Sequence, residues 1–200
     1  YYGVNAVSHN LILCNREELL NGNGFILGVS GSGKSFAAKQ EITSIALGTD
    51  HDIIVVDPER EYGSLIHALG GEVIAISANT SNHINALDIS AEYGEGSNPL
   101  VLKSEFVMSL CQQLQHGPIE PGDKSIIDRC LEHIYEDYLK TYEGNAPTLL
   151  DLYYDLLKQP EPEAHRLALA LELFAKGSLN VFAHQTNVDT QNRIICYDIQ

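Results

Sequence analysis

No apolar run in this 200-residue chain approaches the roughly 20 residues needed to cross a bilayer. Its start, Tyr1-Tyr2-Gly3, has neither the basic nor the apolar stretch of a signal peptide. The expected compartment is therefore the cytoplasm. The four cysteines, Cys14, Cys111, Cys130 and Cys196, stand far apart with no C-x-x-C pair, and the eight histidines are equally scattered. That spacing argues against a disulfide framework or a metal site and for free thiols. Basic charge is scarce: 12 Lys and Arg face 27 Asp and Glu, a formal net charge of −15. Basic clusters supply most nonspecific affinity for nucleic acid, so no direct nucleic-acid binding is expected of this acidic chain. A Gly-x-Ser-x-Gly elbow is absent, which removes support for a serine hydrolase, and there is no Asn-Lys-x-Asp segment to read a guanine base. No apolar strand ends in an Asp-Glu pair either.

What is present begins with Gly28-Val29-Ser30-Gly31-Ser32-Gly33-Lys34-Ser35. A triphosphate needs several backbone N–H groups converging on its oxygens. The chain must then curl into a concave nest that side chains at Gly28, Gly31 and Gly33 would obstruct. Lys34 supplies a mobile charge for the β- and γ-phosphates, and the Ser35 hydroxyl is placed to coordinate Mg²⁺. A helix opening at this point adds its positive N-terminal dipole. Phe25-Ile26-Leu27 ahead of the loop reads as a buried strand, and Phe36 to Leu47 after it as a helix. The expected ligands are a nucleoside triphosphate and Mg²⁺.

The remaining chain alternates. Val4 to Asn15 reads as an early strand, with Tyr1 and Tyr2 as weak candidates for stacking on a base. Ile53-Ile54-Val55-Val56 fits a parallel strand buried on both faces, and it ends in Asp57-Pro58-Glu59-Arg60-Glu61-Tyr62. Asp57 there can hold the Mg²⁺ hydration shell, or it can cap a helix running from Pro58 to Leu69; Glu61 lies close enough in sequence to share the site. Val73-Ile74-Ala75-Ile76 adds a strand. From Pro99 the pattern becomes helical, with about four helices as far as Gly177, the third opened by Thr148 with Asp151 three positions on. Strand character returns at Arg193 to Asp198. The expected fold is α/β: a parallel-sheet core opening on the phosphate-binding loop, with an all-α insertion, in residues 1–98, 99–177 and 178–200. The tyrosines at 135, 138, 142, 153 and 154 are expected to pack between helices, since no basic residues accompany them as they would a base-stacking platform.

The run from Asn21 to Ser35, followed by Val55-Val56-Asp57-Pro58-Glu59-Arg60-Glu61-Tyr62, resembles the large motor ATPase of conjugative and type IV secretion systems. This is the VirB-four/TrbE class of the HerA/FtsK superfamily, and the likeness runs from about Val4 to Ile199. It implies a P-loop NTPase (RecA-like) core, incomplete in these residues, of an ATPase that forms hexamers and docks peripherally, through membrane-bound secretion-channel proteins, on the inner face of the cell membrane. There ATP, the nucleotide the resemblance implies, is hydrolysed to power assembly or substrate transfer. It carries the phosphate loop onto Gly28 to Ser35, with Lys34 catalytic, Lys34 and Ser35 on phosphate and Mg²⁺, and Asp57 and Glu61 beside the site. Relatives often have Asn-Pro-Leu where this chain has Asn85-Ala86-Leu87. The family's Asp-Glu strand is expected beyond Gln200, so weak nucleotide binding with little turnover is expected of these residues alone. The alternatives are a DNA translocase of the same superfamily, a small-molecule P-loop kinase, and a scaffold in which nucleotide only orders an interface. Kinase lids usually carry several arginines, whereas Pro99 to Gly177 has only Arg129 and Arg166.

Overall fold

A computed structural model describes residues 2–78, 80–91, 93–94, 96, 98–115 and 117–199, so the stacking role weighed for Tyr1 lies outside the described residues. The chain divides into two compact units, residues 1–50 and 51–200.

In the first unit, β1 (Gly3–Val4) and β2 (Leu11–Ile12) form a small antiparallel hairpin with Gly3 opposite Ile12. The single strand expected across Val4 to Asn15 is interrupted because the Asn5 side chain accepts the N–H groups of Val7 and Ser8, both at 2.9 Å, and turns the chain. Helix α1 spans Lys34–Gly48. Arg16 fastens the hairpin to it: its guanidinium meets Glu41 at 2.9 Å and its Nε donates to the Tyr2 hydroxyl at 2.8 Å. Phe25-Ile26-Leu27 is not a strand, contrary to expectation, and Phe25 and Leu27 are about nine-tenths exposed. A strand exists only where a neighbour meets its N–H and C=O groups, and the only paired strands described in this unit are the two of the hairpin. None of the buried hydrophobic residues belongs to residues 1–50.

The second unit holds a three-stranded parallel sheet in the order β3 (Ile53–Asp57), β5 (Ile194–Ile199), β4 (Glu72–Ile76). Ile53 pairs with Ile194 and Asp57 with Asp198, while Glu72 pairs with Ile195 and Ile76 with Ile199. The central strand is thus the last in sequence. Helix α2 (Gly63–Ala68) packs on β4 and β5 through the fully buried Ile66. Gly71 lets the chain pass close under the sheet, since a Cβ there would sit 2.6 Å from the Ile194 carbonyl oxygen. The β3 strand was expected to be buried on both faces. It is an edge strand instead, with Ile53 and Asp57 buried and Ile54 and Val56 exposed.

Between β4 and β5 lie α3 (Pro99–Gln115), α4 (Pro121–Tyr135), α5 (Tyr138–Thr141), α6 (Leu149–Lys158) and α7 (Pro162–Ala175). Their starts are written locally. The Thr148 N–H and hydroxyl each donate to Asp151 at 2.8 Å, and the Glu120 N–H donates to Asp123 at 3.1 Å. Helices α4 and α5 are separate, and Tyr142, at φ 56°, stops α5. Leu131, Leu152, Leu156, Leu167 and Leu171 are fully buried in the helical core. Four of the five tyrosines pack into or against the helical core, whereas Tyr154 is exposed; Tyr135 and Tyr138 donate to the carbonyls of Leu87 and Ile89, holding the incoming loop against α4 and α5.

Candidate nucleotide site

Lys34 is the first residue of α1, so the glycine-rich run forms the mouth of a helix N-terminus. Each glycine answers a different demand. Gly31 and Gly33 take φ values of 77° and 88°, the left-handed region that a side chain disfavours. Gly28 is constrained by space, because a Cβ there would lie 2.4 Å from the Ser32 hydroxyl. The loop closes on itself through the Ser32 N–H, which donates to the Val29 carbonyl at 3.2 Å. The Lys34 ammonium folds over the loop and donates to the same carbonyl at 3.0 Å. No acidic residue occupies the first turn of α1, so nothing offsets the positive end of the helix dipole. Gly28, Val29, Ser30, Gly31, Ser32 and Gly33 are exposed, and Lys34 and Ser35 are half-buried. These features suit phosphate: a cradle that a side chain would fill, a cation across it, and a serine one position on.

In the second unit, Asp57 is buried at the end of β3 and accepts the N–H groups of Glu59 at 3.3 Å, Glu61 at 3.2 Å and Tyr62 at 2.9 Å. Burial alone would raise its pKa, but these backbone donors hold it below the usual 3.8. The helix expected from Pro58 begins only at Gly63, because Arg60 at φ 57° cannot continue a right-handed turn. Asp57 therefore organises a non-helical turn, where a helix cap was one of the two expectations. Glu61 is exposed on that turn. Neither the contact between Arg60 and Asp198 nor its purpose was read from the sequence: Arg60 Nε meets the Asp198 carboxylate at 2.7 Å across the ends of neighbouring strands. The one sequence signal was that both strand-like runs end near an aspartate, Asp57 and Asp198, which the sheet then places opposite each other.

Two further groups escaped the sequence reading. Lys103 is buried, donates to the Ala86 carbonyl at 3.2 Å and lies over the Tyr93 and Phe106 rings; burial pushes its pKa down, against the pull of Asp88. His133 Nδ1 meets the buried Asp155 at 2.7 Å on the wall of a 740 Å³ cavity in the helical block. No residue of the glycine-rich loop lines that cavity, so the loop, with its glycine turn and Lys34, stands as the nucleotide candidate. Three cysteines, Cys111, Cys130 and Cys196, are buried thiols pushed up to about 12, about 12 and about 11 by desolvation, and Cys14 is exposed. Among the described residues no helix is long and apolar enough to cross a membrane.

A three-stranded parallel sheet with a helical block between its last two strands in sequence places the chain among α/β proteins. Residues 17–191 match the family described as "Helicase HerA, central domain", and the chain belongs to that family. It is a VirB4-like member of the HerA/FtsK-type ATPases. Among solved structures it is similar to VirB4 of Thermoanaerobacter pseudethanolicus, at 25% identity and a TM-score of 0.76. That likeness covers 98% of this chain and 55% of the other, so the chain spans little more than half the length of that relative. No curated protein sequence matches it.

Proposed function

We propose that this chain is the ATP-binding part of a motor that works in conjugative or type IV secretion. In this reading Gly28 to Ser35 hold the phosphates, Lys34 neutralises the β- and γ-oxygens, and Ser35 takes the Mg²⁺ that accompanies ATP. The observation that carries the reading is the loop itself: two left-handed glycines, a third with no room for a side chain, and the Lys34 ammonium lying across the mouth of α1. Glu61 is the exposed carboxylate proposed to act in catalysis. Asp57, proposed from the sequence to lie near Mg²⁺ and nucleotide, is assigned the role of holding the turn that carries Glu61, because three backbone N–H groups occupy its oxygens. The full motor is proposed to self-associate, in hexamers as the resemblance implies, and to dock on membrane-bound channel proteins at the inner face of the cell membrane.

Calorimetry with Mg-ATP on the wild type and on Lys34→Ala tests this. Loss of one charge-assisted contact set is expected to weaken binding by about tenfold or more. Equal affinities would remove the loop from the site. The 200 residues contain no apolar strand ending in Asp-Glu, so phosphate release is expected to stay near background. Vigorous release that depends on Lys34 would show that another carboxylate here suffices.

A DNA-translocating role is the second reading, favoured by the helicase description of the matching family. The net charge of −15 weighs against it for this chain. A gel shift with duplex DNA at physiological salt separates the two, and tight binding would favour the translocase.

A further inference from the structure

The second unit has two separate apolar cores. The helical core runs from Leu87 to Ala183 and includes none of Ile53, Ile66, Ile74, Ile194, Ile195 or Cys196, which are buried in the sheet layer. The extensive packing pairs join β3, β4, β5 and α2 among themselves, or α3, α4, α6 and α7 among themselves, and none links one group to the other. Polar contacts tie the two connecting segments to each other. The connectors, residues 80–86 leaving the sheet and 184–193 returning to β5, are zipped together, and beyond them Leu87, Ile89 and Ala183 belong to the helical core. The His83 N–H donates to Asn187 Oδ1 at 2.7 Å, and the Asn187 N–H donates back to the His83 carbonyl at 3.1 Å. Asn187 Nδ2 donates to the Ser81 carbonyl at 2.8 Å, the Asn85 N–H to Thr186 Oγ1 at 3.0 Å, and the Ala86 N–H to the Phe182 carbonyl at 3.2 Å. The His83 and His184 rings meet, tilted at 44°, with centroids 4.3 Å apart over the same stretch. Both connectors are also pinned to one loop of the helical block: Asn85 donates to the Pro147 carbonyl at 2.9 Å and Gln185 to the Ala146 carbonyl at 2.7 Å.

We infer that this zipper is a hinge: the helical block turns as one body against the sheet, and the paired connectors move in step because side-chain amides bind them to each other. Hydrogen bonds without a shared apolar core open locally at low cost, whereas the cores on either side open only with their own unfolding. Because the returning connector feeds β5, the central strand, a turn of the block is delivered to the strand whose end carries Asp198 and its bond to Arg60. The inference does not depend on nucleotide binding.

Hydrogen exchange read by mass spectrometry on the whole chain tests it. In the double variant Thr186→Val, Asn187→Ala, amides of residues 81–86 and 184–188 are expected to exchange about tenfold faster or more, since each lost bond is worth roughly a kcal/mol. Amides within α4, α6 and α7 are expected to keep their wild-type protection. Equal acceleration in those helices would make the connectors part of the helical core, and no acceleration anywhere would remove them as the tie; either result overturns the hinge. Should the variant fail to fold, the wild type in rising sub-denaturing urea answers the same question. The connectors are expected to open before either core, and a single opening shared by connectors, sheet and helices overturns the proposal.

Discussion

Asp57 shows how one residue type at one position serves a purpose that sequence spacing leaves open. A strand-end aspartate can face a cation or bind its own backbone, and here three N–H groups take its oxygens. Its folded pKa lies below 3.8, so it contributes stability that is present above that value and lost as pH falls through the lower, folded one. In Asp57→Asn the backbone donors lose a charged acceptor, which is expected to cost about 1–3 kcal/mol near neutral pH. The acid limb of its stability profile is expected to be flatter than that of the wild type. Urea titrations from about pH 3 to about pH 7 read both effects, and identical profiles would deny the carboxylate its role. Arg60 makes a companion case. Its left-handed backbone carries strain, and its ion pair with Asp198 is half open to solvent. Arg60→Gly is therefore expected to be more stable than Arg60→Ala by about 1 kcal/mol, because both lose the pair and only glycine relieves the strain. A urea midpoint for each variant checks the order.

At the scale of elements, the helices announced themselves through their ends. Thr148 with Asp151 three residues on was legible as a cap, and both donors of Thr148 reach that carboxylate. Asp151→Ala is expected to lower stability by about 1 kcal/mol, read as a shift of the urea midpoint with an unchanged slope. The strands were less legible. Phe25 to Leu27 and Ile53 to Val56 look alike as short apolar runs, yet only the second is paired. Apolar runs report a tendency to be covered, and what covers them depends on partners far away in sequence. The departure at Asn85-Ala86-Leu87 was absorbed locally: the Asn85 side chain accepts the Leu87 N–H at 3.0 Å and makes the bend without proline.

At the scale of the whole molecule the net charge of −15 is a standing self-repulsion. Raising NaCl from about 50 mM to about 500 mM is expected to raise the melting temperature by screening it. A fall in melting temperature would mean that the few ion pairs, such as Arg166 with the buried Asp123, outweigh the repulsion.

The sequence by itself determined the glycine-rich loop, since Gly28, Gly31 and Gly33 are demanded by local sterics that need no partner. It also determined the helical block, whose periodicity and caps act within a few residues. Only the tertiary structure decided the strand order, because β5 enters between β3 and β4 after an excursion of more than a hundred residues. It alone decided that Arg60 reaches Asp198 and that two polar connectors join separate cores. Those are contacts between groups distant along the chain, and residue spacing carries no information about which distant groups will meet.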